Sequence, residues 1–190
     1  MTDVLGLLAY LVLPLIGLVV WRFDFVREMP ICARLGVATA AGALIVAVTM
    51  SSMSVIGIEW SRTAIFAVLA IVIAFGVWKQ RFRLERGGRV SALQIAIAAT
   101  WLLTLYGTLT ARHSCGDLQF TWGPKAIRWF RAGGLDPQVL HTWPQLTVDY
   151  PPLQTLLLAL SNTFARQFPW WAAVLASPFF FLALLAVIRG

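Results

Sequence analysis

Long runs of hydrophobic positions alternate along the chain with short polar or charged stretches. A bilayer core about 30 Å thick requires roughly 20 apolar residues in each crossing helix, so these runs predict transmembrane helices. Five runs are clear: Val4 to Trp21, Leu35 to Ile58, Thr63 to Trp78, Ala92 to Thr110 and Trp170 to Ile188. A sixth, Pro152 to Phe168, is shorter and carries Asn162 and Arg166 in its second half. The pattern predicts an all-α, polytopic bundle of about six transmembrane helices.

The composition points to the same class. Hydrophobic residues make up 59% of the chain and charged residues 12%, with a mean hydropathy of +0.79, whereas about a quarter of the residues of soluble domains are charged. Tryptophans, whose amphipathic rings prefer the headgroup layer, stand at the ends of several runs: Trp21, Trp60, Trp78, Trp170 and Trp171. We therefore expect an integral membrane protein.

The distribution of Lys and Arg predicts the orientation. Five cations are packed between Lys79 and Arg89, and such clusters mark cytoplasmic loops. We therefore expect the N-terminus and residues 111–151 to be extracytoplasmic. The net charge of +7 then reflects topology and contact with anionic lipid, so the expected partner is the bilayer and not a nucleic acid.

The runs divide the chain into three parts. Residues 1–110 hold four predicted transmembrane helices, residues 111–151 form the extracytoplasmic loop, and residues 152–190 hold two further helices. For the short run in the last part we favour a full crossing, since Pro152 suits a helix start and Arg166 would then be cytoplasmic. A crossing places Arg189 outside, whereas a re-entrant hairpin would place it inside.

An amphipathic helix is predicted inside the extracytoplasmic loop, from Trp122 to Ala132. At 100° per residue, Trp122, Ala126, Trp129 and Phe130 fall on one side and Lys125, Arg128 and Arg131 on the other. Such a helix lies in the membrane interface and should end at Gly133-Gly134. Two interpretations stay open: the helix only seals the loop to the bilayer, or its cations form a shelf for the phosphate of a lipid-linked substrate.

Two aspartates of this loop are candidates for chemistry. Asp117 follows the fourth hydrophobic run by only seven residues, and a carboxylate close to hydrocarbon is costly unless it has a function. Asp149 precedes Tyr150-Pro151-Pro152, in which the prolines make a rigid start for the next helix. Asp149 either caps that helix or contributes to a site.

No metal site is predicted. His113, Cys115 and Asp117 alternate along the chain, but no CxxC or HExxH pattern accompanies them, and a solvated histidine is the preferred interpretation. His141, between Leu140 and Thr142, is ambiguous.

Together these residues resemble the first extracytoplasmic loop of the GT-C superfamily of integral membrane glycosyltransferases. The resemblance covers roughly residues 92 to 190. It consists of an aspartate shortly after a membrane helix, the segment Trp122-Gly123-Pro124-Lys125-Ala126 leading into an amphipathic helix, its end at Ala132-Gly133-Gly134-Leu135-Asp136, and the segment Asp149-Tyr150-Pro151-Pro152-Leu153. The similarity is to bacterial members related to protein mannosyltransferases and lipid A aminoarabinose transferases.

The resemblance implies transfer of a sugar from a polyprenyl-phosphate donor to an acceptor outside the cytoplasm, with inversion, at a bacterial inner membrane. Asp117 would be the general base, with no cofactor indicated. Family members run to several hundred residues, so we expect this chain to be the N-terminal portion of a longer enzyme or a truncated open reading frame. The candidate substrate-binding residues are Arg112, Lys125, Arg128, Arg131, His141, Asp149 and Tyr150.

A second hypothesis belongs to another class of protein. The chain would be a non-catalytic membrane scaffold, or an accessory subunit of an envelope-assembly complex. A transporter is a poorer third hypothesis, since the clear runs contain almost no charge to line a path.

Overall fold

A computed structural model of the chain describes residues 2–78, 92–110, 122–135, 153–165 and 167–189. Within these ranges the chain forms helices and no strand, which confirms the predicted all-α class. The α-helices are α1 (Thr2–Leu11), α2 (Leu13–Ile16), α3 (Asp24–Arg27), α4 (Ile31–Val55), α5 (Arg62–Val77), α6 (Ala92–Thr110), α7 (Gly123–Ala132), α8 (Leu153–Ala165) and α9 (Trp170–Arg189). A 3₁₀ segment, Gly17–Arg22, continues α2.

Three helical segments of the described chain are long and apolar enough to cross a bilayer: Val4–Arg22, Ile31–Val55 and Trp170–Arg189. Three further apolar helices are shorter, namely Arg62–Val77, Gln94–Thr110 and Leu153–Ala165. The membrane class of the protein follows from the long helices. The described ranges do not confirm the predicted count of about six crossings.

The first segment and α4 approach each other very closely. A Cβ atom added to Gly17 would overlap the carbonyl oxygen of Ala38, and one added to Gly42 would overlap the carbonyl oxygen of Leu13. Small residues allow two backbones to pack at this distance, which is how membrane helices gain dispersion energy where lipid removes the hydrophobic driving force. The two segments are antiparallel, because the residue numbers of the contacts run in opposite directions.

The last helix, α9, also runs antiparallel to α4. A Cβ on Gly36 would overlap the carbonyl oxygen of Ala183, and the Arg189 guanidinium donates a hydrogen bond to the sulfur of Cys32 at 3.4 Å. The C-terminal end of α9 therefore lies at the end of the bundle where α4 begins.

The short helix α8 does not pass from one end of the bundle to the other. Near its end, the Phe164 ring packs edge-to-face on Phe66 in the first turns of α5, with ring centroids 4.9 Å apart. At its start, Leu153 shares a groove with Val55 and Ile56 at the end of α4. Both ends of α8 thus lie in the half of the bundle where α4 ends and α5 begins.

The position of α8 matches the re-entrant hairpin. It differs from the full crossing that we favoured for this run from the sequence. Pro169, the last residue before α9, packs against Gly6 near the start of α1, so the chain returns to the side from which α8 started. The physical reason is length: 13 residues rise only about 20 Å at 1.5 Å per residue. Arg189 consequently lies on the side of Cys32, which is the side expected for the hairpin.

Because α8 lies among α1, α4, α7 and α9, nearly all of it is buried. Two of its hydroxyls pair with backbone: the Ser161 hydroxyl donates to the Gly6 carbonyl at 2.9 Å, and the Thr163 hydroxyl donates to the Ala159 carbonyl within α8 at 3.0 Å. Thr155 Oγ1 and Asn162 Oδ1 are buried without a hydrogen-bond partner among the described residues. Helix α7 packs on α8.

Candidate functional site

The amphipathic helix predicted within residues 111–151 is present as α7. Trp122 precedes it at the N-cap, and a proline occupies its first turn, where the missing N–H costs nothing. It ends at Gly133, whose φ of 72° is the left-handed conformation that glycine adopts without strain. The predicted helix and its glycine C-cap are both confirmed.

Hydrogen bonds fasten the C-terminal end of α7 to the connection between α4 and α5. The Trp60 backbone N–H donates to the Gly133 carbonyl at 2.6 Å, and the Leu135 N–H donates to the Ser54 hydroxyl at 3.0 Å. The Trp60 indole in turn donates to the Met50 carbonyl at 2.9 Å. One face of α7 therefore lies on protein.

The three cations of α7 are divided between two environments. Arg128 and Arg131 are exposed, as expected of a cationic face, but only 2% of Lys125 is exposed. The expectation that Lys125 shares the face of the two arginines is wrong. On a helix Lys125 stands about 40° from Trp129 and about 60° from Arg128, so an element packed on the aromatic face covers the lysine as well.

Lys125 is held against an aromatic ring. Its Nζ atom lies 5.1 Å from the centroid of the Trp129 ring, a distance at which the ring quadrupole attracts a cation. Burial lowers the pKa of Lys125 from its ordinary value, because the charged form loses hydration. The Trp129 side chain is only 2% exposed.

The polar groups of Lys125 and Trp129 are both donors. The buried indole nitrogen of Trp129 has no acceptor, and Lys125 forms no ion pair within the described parts of the chain. An ammonium and an indole N–H can donate hydrogen bonds and cannot accept them. Buried groups of this kind are costly without a partner, and the partner that suits both is an anion or another strong acceptor.

A groove between α8 and α9, of about 730 Å³, reaches the N-terminal end of α7. We call it the α8–α9 groove. It is largely apolar, and Trp122 at the start of α7 forms part of its wall. The residues that define it are Tyr10, Trp122, Leu153, Leu157, Phe180 and Phe181.

A second groove, of about 540 Å³, lies on the other side of the first turn of α8. We call it the α4–α8 groove. Leu153 belongs to both grooves, so the start of α8 stands between them. The residues that define the second groove are Leu44, Val48, Ser51, Ser52, Ile56 and Leu153.

Of the candidate site residues, Lys125, Arg128 and Arg131 lie in α7, and the others lie outside the described residues. The latter are Arg112, Asp117, His141, Asp149 and Tyr150, together with His113 and Cys115. Their roles stay predictions. The described ranges contain no group of three His, Cys, Asp or Glu side chains arranged for a metal ion.

Sequence reasoning missed three residues that shape this site. Trp129 was assigned only to the membrane-facing side, and the roles of Ser54 and Trp60 in fastening α7 depend on contacts across 81 and 73 positions of the chain. No local pattern marks such contacts. Comparison of the chain with protein-family models, with curated proteins and with solved structures finds no match.

Proposed function

We propose that this chain acts as a membrane glycosyltransferase, which moves a sugar from a polyprenyl-phosphate donor to an acceptor on the extracytoplasmic side. The observation that carries the proposal is that Trp122 and Lys125 lie close together in sequence at the N-terminal end of one short helix. Trp122 lines an apolar groove, and Lys125 offers a buried cation one turn further along. A ligand with a long apolar chain and a phosphate at its end matches this combination.

In this proposal the isoprenoid chain occupies the α8–α9 groove and its phosphate lies near α7. Lys125 and the Trp129 indole N–H supply the two donors, while Arg128 and Arg131 attract the phosphate from the exposed side. These cations also stabilise the charge that develops on the leaving group, since donors in a water-poor site act most strongly on charge formed in the transition state.

The reaction is a substitution at the anomeric carbon. The acceptor oxygen or nitrogen forms a bond to that carbon, the bond between the carbon and the phosphate oxygen breaks, and polyprenyl phosphate leaves with the electron pair. Asp117 takes the proton of the acceptor. The sugar is thereby inverted at the reacting carbon, because attack and departure occur on opposite faces.

The test is transfer of radiolabelled sugar from a panel of polyprenyl-phosphate sugars by membranes that contain the chain. Asp117→Asn keeps size and polarity but removes the basic carboxylate, and a general base contributes about 10²- to 10⁴-fold. We expect a loss of that order with unchanged membrane insertion. The control is Asp24→Asn, which removes an exposed carboxylate paired with Arg27. Activity of Asp117→Asn within about threefold of the parent would contradict the general-base role.

One observation favours the alternative, a scaffold or accessory subunit of an envelope-assembly complex. Helix α6 packs on α9, where the Trp101 indole donates to the Pro178 carbonyl at 2.9 Å, while Leu103 and Tyr106 stay about 70% exposed. An apolar face of this kind suits lipid or the transmembrane helix of a partner. If no donor of the panel supports transfer and Asp117→Asn retains its biological function in cells, the scaffold is the better account.

A further inference from the structure

We infer that Thr155, in the first turn of α8, binds the leaving phosphate of the proposed transfer by donating a hydrogen bond from its hydroxyl. The inference rests on the proposed function and adds a residue to its phosphate site. Its starting point is a hydroxyl group that is buried without a partner. The Thr155 side chain is 0% exposed, and its Oγ1 atom has no hydrogen-bond partner among the described residues.

Hydroxyl groups elsewhere in the described helices do find partners. Ser and Thr side chains inside a helix can donate to the carbonyl four residues earlier, and this is the bond formed by Thr39, Ser54, Thr100, Thr104, Thr110 and Thr163. Ser161 donates instead to Gly6 of α1. A buried hydroxyl without a partner costs free energy, so Thr155 is placed to bond to a ligand.

Thr155 lies on the face of α8 that α7 covers. On a helix, Leu156 stands about 100° from Thr155 on one side, Ser161 about 120° on the other, and Phe164 on the opposite face. Leu156 lines a groove with α4, Ser161 bonds to α1, and Phe164 packs on α5. Since α7 also packs on α8, it takes the remaining face, which carries Thr155 and, two turns further along, Asn162.

The start of α7 lies beside the start of α8. Trp122 shares the α8–α9 groove with Leu153 of the first turn of α8, and Lys125 follows Trp122 by about one helical turn. Lys125 and Trp129 are both buried, because they stand on the side of α7 that packs on α8. The unpaired donors of α7 and the unpaired hydroxyl of Thr155 therefore belong to one interface.

These three side chains suit a phosphate. Lys125 supplies a positive charge, and the Trp129 N–H and the Thr155 O–H supply directed hydrogen bonds. The N-terminal end of α8 adds to the attraction, because the helix dipole is positive there. The amide oxygen of Asn162 is an acceptor and lies about 10 Å further along α8, so it takes no part in the phosphate site.

The number of donors favours the leaving group over the bound donor. In the polyprenyl-phosphate sugar, one of the phosphate oxygens is bonded to the anomeric carbon. When that bond breaks, the oxygen keeps the electron pair and becomes a third strong acceptor, as in any phosphate monoester. A third hydrogen bond then forms only as the sugar departs, and interactions that strengthen in this way accelerate the reaction.

The test is titration of the purified protein with a fluorescent polyprenyl phosphate. Thr155→Val keeps the shape of the side chain and removes the hydroxyl, so binding should weaken by about tenfold. Thr155→Ser keeps the hydroxyl and should bind within about threefold of the parent. Two controls should change nothing: Thr163→Val removes a hydroxyl that bonds within α8, and Asn162→Leu removes another buried atom without a partner.

A structural role of Thr155 would give different results. Because Thr155→Val removes a buried group without a partner, the thermal midpoint of the ligand-free protein should stay the same or rise. Binding of the uncharged polyprenol should be equal in Thr155→Val and the parent. A lower midpoint together with weaker polyprenol binding would show that Thr155 only supports the fold, and would overturn the inference.

The same titration separates the inference from the proposed function. If the parent binds polyprenyl phosphate more tightly than polyprenol and Thr155→Val binds it as tightly as the parent, the inference is wrong and the proposed function stands. If the parent binds polyprenyl phosphate no more tightly than polyprenol, the chain has no phosphate site, and the proposed function and the inference are both wrong.

Discussion

The guanidinium of Arg189 donates a hydrogen bond to the sulfur of Cys32 at 3.4 Å, which ties the last turn of α9 to the first turn of α4. These residues are 157 positions apart in the chain. The contact requires that α9 returns to the end of the bundle where α4 begins, as it does when α8 turns back instead of crossing.

The first prediction concerns this topology. Each variant tested carries one cysteine: native Cys32 in a chain without Cys115, or Arg189→Cys in a chain without Cys32 and Cys115. Both should react with an impermeant maleimide in the same sample, either intact cells or disrupted cells. Glu59→Cys, in the connection between α4 and α5, should react in the opposite one. With the orientation predicted from the Lys79–Arg89 cluster, position 59 is labelled on intact cells and positions 32 and 189 only after disruption. If positions 189 and 59 are labelled in the same sample, α8 crosses the membrane and the re-entrant topology is wrong.

The second prediction uses two glycines with the same backbone conformation. Gly57 and Gly133 have φ values of 78° and 72°, and alanine at such a position costs about 1 kcal/mol in backbone strain. At Gly57 an added Cβ meets nothing within 4 Å, whereas at Gly133 it collides with Glu59. Gly133→Ala should therefore lower the thermal midpoint in detergent more than Gly57→Ala does.

Removing the Glu59 side chain, which an added Cβ at Gly133 would meet, gives the control for the comparison of the two glycines. In a Glu59→Ala background, the cost of Gly133→Ala should fall to that of Gly57→Ala, since only the strain remains. An unchanged difference between the two substitutions would show that Glu59 is not the cause.

The third prediction is a pH dependence that Lys125 causes. Burial lowers its pKa below the ordinary 10.5, so between the lowered pKa and 10.5 the unfolded chain binds the proton that the folded chain has lost. Stability therefore rises with pH across this window. Thermal midpoints measured from about pH 7 to about pH 10.5 should show this rise in the parent and in Arg128→Met, but not in Lys125→Met. A rise of the same size in Lys125→Met would assign it to another group.

The fourth prediction concerns the cations of α7. Lys125→Ala and Arg128→Ala should each weaken binding of a polyprenyl phosphate to the purified protein, with a larger loss when both are changed. The loss at Lys125 should be the larger, because a buried charge is less screened than an exposed one. Titration with fluorescent polyprenyl phosphate checks this, with the uncharged polyprenol as the ligand control. If the double variant binds polyprenyl phosphate as tightly as the parent, the cations do not bind phosphate and α7 only seals the loop to the bilayer.

Several local features were readable from the sequence because they depend on short spacing. The helix from Trp122 to Ala132 and its stop at Gly133 follow from periodicity and from the conformational freedom of glycine. The burial of Lys125 was only partly readable, since the angle of about 40° between Lys125 and Trp129 already sets the lysine beside the aromatic face. Periodicity states the angle between side chains on one helix, and it does not state how wide a face the neighbouring helix covers.

The sequence by itself determined the class of this protein: hydrophobic runs of membrane length form helices because no other local structure satisfies the backbone in lipid. Only the tertiary structure decided which of those helices turn back, which cation is buried, and that two grooves meet at Leu153. The reason is that lipid and protein interior are equally apolar, so hydropathy does not distinguish a residue facing the bilayer from one facing another helix. Whether a residue faces lipid or another helix depends on shape, as where Gly17 fits against Ala38. It also depends on contacts between residues far apart in the chain.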